Sequence, residues 1–322
     1  MATQTEHGKA FEYALLKALR EKLSTKTTVE VVETAPYLTA KEKYSEEVSR
    51  DLRLEMDRSA DVATEYLLDL EPRLVHSLAS ASDVLTLEIV PDKTGGQGDV
   101  RDVLAIRSAQ NWEIGLSAKN NHHAVKHSRL SGTIDFGKEW LGLGCSEAYF
   151  DEIMPIFDHL STIKKNSGGS AKWDETLTNK QETIYTPVLE AFRKELLRLN
   201  ETFPDVVPRK LVEYLIGEKD FYKVISGKDR VEIEVFNLHG TLCQSIDSIK
   251  PKARLQRLKL PTKLLDISYK KSSRSTLEIT FDEGWALSFR IHNASKRVEP
   301  SLKFDINLIS TPSSIHKETR FL

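Results

Sequence analysis

The sequence predicts an α/β or α+β protein that is helix-rich at first and strand-rich at its end. Apolar residues recur at helical spacing over residues 6–23, and residues 185–199 have the same helical character. Two strand-like runs, residues 100–107 and 112–119, are joined by a short polar segment and predict a hairpin. Strand-like runs dominate after about residue 208. Neither helices nor strands alone account for the chain.

The first part of the chain mixes both kinds of element. Residues 6–23 carry Phe11, Leu15 and Leu19 on one helical face, and residues 27–33 are a short β-branched run typical of a strand. Charged residues of helical composition fill residues 45–74 and predict an exposed helix or helix pair. The remaining elements of this part are predicted as a strand at residues 84–90, a turn at 91–98, the hairpin, and a helix at 124–130.

The predicted elements of the second part of the chain change from helices to strands. Residues 163–173, with two adjacent glycines, predict a flexible surface loop, and a helix follows at residues 185–199. Strands are predicted at residues 231–238, 275–281, 285–292 and 302–309. We place a soft domain boundary near residues 204–208, which divides the chain into residues 1–205 and 206–322, although one continuous domain is also compatible with this length.

Composition limits the classes of protein to which the chain can belong. The sequence has 322 residues, 39% hydrophobic and 29% charged, and contains no apolar run near the roughly 20 residues that span a membrane. Its polar N-terminus lacks the apolar core of a signal peptide, and Cys145 and Cys243 are too few for a disulfide framework. These features predict a cytoplasmic protein without a membrane partner. A net charge of −2 argues against non-specific coating of nucleic acid but leaves room for a local basic groove.

The hairpin brings an acid and a lysine together. If the polar residues 108–111 form its loop, counting outward places Asp102 opposite Ser117, and Lys119 shares a strand face with Ser117. Opposite neighbours lie about 5 Å apart at Cβ, so Asp102 and Lys119 can serve one metal site. A carboxylate that holds Mg²⁺ and a lysine that positions or deprotonates a water are what phosphodiester hydrolysis requires. A solvated strand pair is the plainer interpretation of the same spacing.

The position two residues before Lys119 is occupied by Ser117, where sites of this kind usually have a second acid. A serine cannot supply the missing charge, so another carboxylate must do so. Glu12, on the flank of the apolar face of the first helix, is our preferred donor. The competing acids are Asp99, Glu113, Asp135 and Glu139.

Residue types that bind phosphates and base edges follow Lys119 directly. They are Asn120, Asn121, His122, His123, Lys126, His127 and Arg129. A transition-metal site is an alternative for the histidines, because His123 and His127 lie four residues apart on a predicted helix. The run contains no acid and no cysteine, which favours contact with nucleic acid.

Two blocks of the sequence resemble the HaeIII-like restriction endonucleases. The first comprises residues 98–104, 112–119 and 127–130, and the second comprises residues 284–294 and 299–305. The resemblance implies a PD-(D/E)xK nuclease core, in which a mixed central sheet is flanked by helices. It implies dependence on Mg²⁺, or on another divalent metal such as Mn²⁺, and cleavage of double-stranded DNA at a short palindrome, with GGCC expected. By position, it assigns Asp102 as the metal-binding acid and Lys119 as the catalytic lysine. Ser117 departs from the general pattern.

The second block also suggests a role in DNA binding. Trp285, Leu287, Phe289 and Ile291 alternate with polar residues, as in a strand that is buried on one face. The polar face carries the three candidates for DNA contact, Arg290, His292 and Asn293. A solvated sheet face would show the same alternation, and the resemblance favours the DNA-contacting interpretation.

The sequence therefore predicts a type II restriction endonuclease that acts as a homodimer, because a two-fold symmetric site is most simply read by a two-fold symmetric protein. A cognate DNA methyltransferase is expected in the same restriction-modification system. Two alternatives stay open at this point. One is a structure-specific repair nuclease of the same fold, and the other is a DNA-binding regulator without catalytic activity.

Overall fold

The computed structural model describes residues 4–77, 83–91, 99–120 and 128–322, together with the backbone of residues 124–126. The chain forms two compact units, each assembled from separate stretches of sequence. Unit 1 comprises Met1–His123, Glu218–Leu258 and Ser314–Leu322, and unit 2 comprises Ala124–Gly217 and Lys259–Ser313. Within the described ranges, no helix is both long and apolar enough to span a membrane.

The helices and strands occur mostly in consecutive groups along the chain. The helices are α1 (Gln4–Leu23), α2 (Ala35–Glu42), α3 (Arg50–Leu70), α4 (Glu147–Asn166), α5 (Trp173–Thr176), α6 (Thr186–Thr202) and α7 (Val207–Ile216). The strands are β1 (Val29–Val31), β2 (Leu85–Ile89), β3 (Val103–Arg107), β4 (Trp112–Asn120), β5 (Ala124–Lys126), β6 (Arg129–Leu130), β7 (Phe221–Ser226), β8 (Arg230–Phe236), β9 (Leu264–Tyr269), β10 (Thr276–Phe281), β11 (Ala286–Asn293), β12 (Leu302–Ser310) and β13 (His316–Phe321).

Unit 1 is built on a seven-stranded mixed sheet in the order β1-β2-β3-β4-β7-β8-β13. The pairs β1–β2 and β4–β7 are parallel, and the other pairs are antiparallel. Helices α1 and α3 pack against one face of this sheet, where Leu116 and Ala118 of β4 and Tyr222 and Val224 of β7 join a continuous apolar core. Burial of this face, at about 25 cal/mol per Å² of apolar surface, is the main stabilising contribution to unit 1.

Unit 2 contains a six-stranded antiparallel sheet in the order β5-β12-β11-β10-β9, with β6 also paired to β12. The alternate residues Leu287, Phe289 and Ile291 of β11 are buried, as the sequence pattern predicted. Phe289 and Phe304 pack against Phe192 of α6 in a cluster of aromatic rings. The α/β fold class, with a mixed central sheet and a strand-rich C-terminal part, is therefore confirmed.

Two predictions of local structure were wrong. The helix predicted at residues 124–130 is replaced by β5 and β6, because both segments find hydrogen-bonding partners on β12 that the local sequence does not reveal. The loop predicted at residues 163–173 begins later, since α4 continues to Asn166. The turn itself lies at Gly168 and Gly169, whose φ values of 56° and 80° suit glycine.

The two units are interleaved along the chain. The boundary near residues 204–208 that we expected from composition falls inside unit 2, and the chain returns to unit 1 at Glu218. Strands β7, β8 and β13 complete the sheet that β1 to β4 begin. The C-terminal strands thus contribute to both units.

Glu71 gives unit 1 a specific pH dependence of stability. Its side chain is fully buried and accepts hydrogen bonds from the Cys243 amide at 2.8 Å and from the Tyr222 hydroxyl. Burial raises the pKa of Glu71 to about 7, against the opposing effect of these two donors. The folded protein therefore binds a proton that the unfolded chain releases between its ordinary pKa of 4.5 and about 7. This contribution to stability is present below pH 4.5 and is lost as the pH rises to about 7.

We expect Glu71→Gln to remove this pH dependence. The difference in unfolding free energy between variant and parent should change by about 3 kcal/mol between about pH 4 and pH 8, in favour of the variant at high pH. Urea denaturation at a series of pH values measures this difference. The exposed Glu218→Gln is the matched control and should give a constant difference. A constant difference for Glu71→Gln would contradict the assignment.

Candidate active site

The β3–β4 hairpin has the register that the sequence predicted. Arg107 pairs with Trp112 and Val103 with Leu116 in an antiparallel ladder. Asp102 directly precedes β3, and its amide donates to the Leu116 carbonyl at 2.7 Å. Its own carbonyl accepts from the Val90 amide at 2.9 Å, so strands on both sides fix the backbone of Asp102.

Asp102 and Lys119 form the predicted acid–lysine pair. Asp102 Oδ2 lies 3.3 Å from Lys119 Nζ and accepts hydrogen bonds from the Ala118 amide at 2.7 Å and from Ser117 Oγ at 3.3 Å. All three donors come from consecutive residues of β4. The hairpin therefore orients the carboxylate through a fixed backbone group as well as through two side chains.

The other oxygen of this carboxylate remains available. Asp102 Oδ1 has no hydrogen-bond partner among the described residues, and the side chains of Asp102 and Lys119 are 24% and 22% exposed. Within the described ranges, no group of three or more acidic, histidine or cysteine side chains is arranged to hold a metal ion. Mg²⁺ is commonly held by one or two carboxylates, with waters and substrate phosphates completing its ligands. The donor set here fits that arrangement, with Asp102 as its carboxylate.

The side chains of β4 alternate between the two faces of the sheet. Leu116 and Ala118 face the core formed with α1, so Ser117 and Lys119 lie on the opposite face. Glu12 is on α1, is buried, and pairs with Lys9 Nζ at 3.0 Å. The preferred second carboxylate therefore lies on the helix that covers the other face of the sheet, and its role as a metal ligand stays a prediction.

Three of the four competing acids, Asp99, Glu113 and Asp135, are engaged in ion pairs or hydrogen bonds, and Glu139 is exposed. Arg101 binds both carboxylate oxygens of Asp99, with its Nη2 2.7 Å from Oδ2, and reaches Glu113 Oε1 at 2.9 Å. Burial would raise the pKa of Asp99, but the Arg101 guanidinium holds it below the usual value. In unit 2, Asp135 Oδ1 accepts from the amides of Lys138 and Cys145.

The chain is similar to a known enzyme family along nearly its whole length. The family model for the HaeIII restriction endonuclease matches residues 8–312 of the chain. The type II restriction enzyme HaeIII of Haemophilus aegyptius is 40% identical over 313 residues, which cover 96% of this chain and 95% of that enzyme. The chain belongs to the HaeIII restriction endonuclease family. No solved structure matches it. This membership confirms the resemblance and makes the chain a type II site-specific deoxyribonuclease.

In this HaeIII family member, some of the residues predicted after Lys119 are described by the structure and others are not. Asn120 ends β4 and its carbonyl accepts from Gln4 Nε2 at 2.6 Å. Arg129 is exposed on β6, with Nη1 3.3 Å from Ser301 Oγ. The remaining candidates Asn121, His122, His123 and His127 lie outside the described residues, as does the side chain of Lys126. The alternative of zinc bound at helical i, i+4 spacing requires a helix at residues 124–126, and these residues form β5.

The C-terminal candidates lie on β11 of unit 2. Arg290 is exposed and forms no ion pair with a described residue. His292 Nδ1 lies 2.9 Å from the Asn293 carbonyl. Asn293 Oδ1 accepts from the Tyr185 hydroxyl at 2.8 Å, and its Nδ2 donates to the Ser295 carbonyl at 2.6 Å. Asn293 is thus held by the protein, whereas the guanidinium of Arg290 is presented outward.

Sequence reasoning missed two features of this site. Arg101 crosses directly over Gly115, where an added Cβ would lie 2.1 Å from Arg101 Cδ, so the glycine makes room for the guanidinium between Asp99 and Glu113. A glycine inside a strand is the sequence feature that could have indicated such a close approach. The second feature is a buried lysine, Lys223, paired with Ser117 in register. No local feature indicates it, since β7 joins β4 from a distant part of the chain.

Proposed function

We propose that this enzyme hydrolyses phosphodiester bonds in double-stranded DNA at GGCC and requires Mg²⁺, with Mn²⁺ as a substitute. The observation that carries the proposal is the Asp102–Lys119 pair at 3.3 Å, with Asp102 Oδ1 left available. Membership of the HaeIII family supports GGCC as the recognition site and favours a restriction enzyme over a repair nuclease or a regulator.

In the proposed mechanism, Asp102 would be the carboxylate that holds Mg²⁺, since its Oδ1 has no hydrogen-bond partner among the described residues. When bound, Mg²⁺ would supply charge stabilisation at the scissile phosphate and would favour deprotonation of the attacking water. The Ala118 amide, at 2.7 Å, fixes the carboxylate so that it does not reorganise during the reaction. Lys119 Nζ lies beside the same carboxylate and positions the attacking water or takes its proton. Ser117 contributes a hydroxyl donor to Asp102 in place of a second charge. Glu12 and Asp99 stay candidates for a further carboxylate.

The outward face of the sheet in unit 2 is proposed as a DNA-binding surface. Arg290, Arg129 and Lys303 lie on neighbouring strands of this sheet, and none forms an ion pair within the described part of the chain. Unneutralised cations on a sheet whose opposite face is buried can contact phosphates or guanine edges. The proposal extends to His292 and to the segment from Asn120 to Arg129, which includes Asn121, His122, His123, Lys126 and His127.

We further propose a homodimer, because a palindromic site presents the same contacts twice about a two-fold axis. A cognate DNA methyltransferase and a cytoplasmic location belong to the same proposal, since a restriction enzyme requires a host genome protected at its recognition sites.

Cleavage mapping tests the proposed function. The purified protein is incubated with unmethylated phage DNA with and without Mg²⁺, and the fragment ends are sequenced. We expect discrete Mg²⁺-dependent fragments whose ends all lie at GGCC. A plasmid in which every GGCC has been altered is the control and should stay intact. A smear, or cutting confined to junctions, would favour the structure-specific nuclease, and a different shared palindrome would overturn GGCC alone.

A further inference from the structure

A continuous row of polar residues crosses unit 1 on the sheet face that carries Ser117. Ser117 of β4 pairs in register with Lys223 of β7, Lys223 pairs with Glu234 of β8, and Glu234 pairs with Lys317 of β13. Residues paired in register on neighbouring strands share a sheet face and lie about 5 Å apart. The row therefore leads from the hairpin of the candidate site to the edge of the sheet.

Lys223 is the buried member of this row. Its side chain is 5% exposed, and its Nζ lies 3.5 Å from Glu234 Oε2. Glu234 is also bound by Lys317 at 2.7 Å, and the Lys317 side chain is half exposed. Burial lowers the pKa of Lys223, the Glu234 carboxylate opposes that shift, and the positive charge of Lys119 adds to it.

The location of Lys223 matters because of its neighbour. Ser117 stands where related sites have an acid that helps to hold metal, and Lys223 is the cross-strand neighbour of Ser117. From the strand spacing and the rise per residue, the Cα atoms of Lys223 and Lys119 are about 8 Å apart. The site thus has a hydroxyl where related sites have an acid, with a buried ammonium as its cross-strand neighbour.

We infer that Lys223, held by Glu234, is a positioning residue that supplies a fixed positive charge in place of a second metal ion. The inference rests on the proposed role of Asp102 as the metal-binding carboxylate. It implies that the enzyme binds a single divalent ion per active site, because a buried ammonium repels a second cation nearby. The same charge favours the negatively charged phosphate at the reacting centre.

Metal binding distinguishes this role from a purely structural one. Mn²⁺ is titrated into the full-length protein without DNA, and free Mn²⁺ is measured by electron paramagnetic resonance. We expect one Mn²⁺ per chain in the parent protein. Lys223→Met removes a repulsive charge and should tighten Mn²⁺ binding by roughly fivefold to tenfold. Its rate of DNA cleavage at saturating Mg²⁺ should nevertheless fall by about tenfold or more, since the phosphate loses a favourable charge.

Replacing Glu234, the other member of the ion pair with Lys223, should change the affinity for Mn²⁺ in the opposite direction. Glu234→Gln leaves the ammonium less neutralised and should weaken Mn²⁺ binding by about twofold to threefold. A structural ion pair would give changes of the same sign in both variants, because either substitution breaks the same contact. Lys317→Met, which removes a half-exposed lysine at the far end of the row, is the matched control and should leave Mn²⁺ binding within about twofold of the parent.

The outcomes separate this inference from the proposed function. If Asp102→Asn binds Mn²⁺ as the parent does, the metal assignment of Asp102 fails. The role of Lys223 alone is overturned if Asp102→Asn loses Mn²⁺ binding and Lys223→Met binds Mn²⁺ no more tightly than the parent. It is also overturned if Asp102→Asn loses Mn²⁺ binding and Lys223→Met cleaves DNA at the parent rate. Thermal melts establish that each variant is folded, and Glu234→Gln decides the sign of the effect if Lys223→Met does not fold.

Discussion

Asp102→Asn is expected to slow DNA cleavage by roughly a thousandfold or more, because several kcal/mol of transition-state stabilisation depends on the metal held by this carboxylate. Asparagine keeps the shape of the side chain and an oxygen that can accept from the Ala118 amide. The substitution therefore removes the charge while retaining the contact that joins Asp102 to β4. Cleavage of a duplex with one GGCC site, measured under single-turnover conditions, gives the rate.

A loss of charge at a surface position serves as the control for Asp102→Asn. Asp151 is an exposed acid on α4, and Asp151→Asn should cleave DNA at the parent rate. Binding to the same duplex in Ca²⁺, measured by fluorescence anisotropy, should show that Asp102→Asn still recognises DNA. A cleavage rate within tenfold of the parent would exclude Asp102 as the principal metal-binding carboxylate.

Lys119→Met is the second large effect that we expect. General acid–base and positioning groups typically contribute 10²-fold to 10⁴-fold to a rate, so cleavage should fall by about that factor. Lys119 Nζ lies 3.3 Å from Asp102 Oδ2, and methionine keeps much of the stem while removing the ammonium. The loss should appear in the single-turnover rate rather than in the affinity for DNA, because the proposed contact is with the attacking water.

Two further lysine variants test whether the effect of Lys119→Met is specific to this position and to its ammonium group. Lys119→Arg keeps the positive charge but is a permanently protonated and larger group, so it should not restore the parent rate. Lys219→Met removes a lysine that is 59% exposed and pairs with Glu113 at 2.7 Å, and it should retain nearly full activity. If Lys119→Met and Lys219→Met slow cleavage equally, the effect of Lys119 is one of surface charge and not of catalysis.

The geometry of the hairpin could be predicted from the sequence because it is local. The loop at residues 108–111 sets the register, and strand alternation then places Asp102 opposite Ser117 and Lys119 on the face of Ser117. The same local logic predicted α1, the buried face of β11 and the mixed α/β class. Each of these features depends on contacts between residues that are close along the chain, or on a periodicity that one segment contains.

Only the tertiary structure revealed the elements whose hydrogen-bonding partners are distant along the chain. Residues 124–126 and 129–130 are strands because β12 supplies their hydrogen bonds, whereas their own sequence also suits a helix. The chain crosses between two compact units several times, and β7 and β8 return to the sheet of unit 1. Lys223 became a neighbour of Ser117 only through the parallel β4–β7 pairing. The sequence by itself determined the acid–lysine hairpin and the enzyme family, because short-range register and sequence similarity carry them. The surroundings of that hairpin were set by long-range strand pairing. Such pairing depends on the packing of the whole sheet, and no local sequence pattern indicates it.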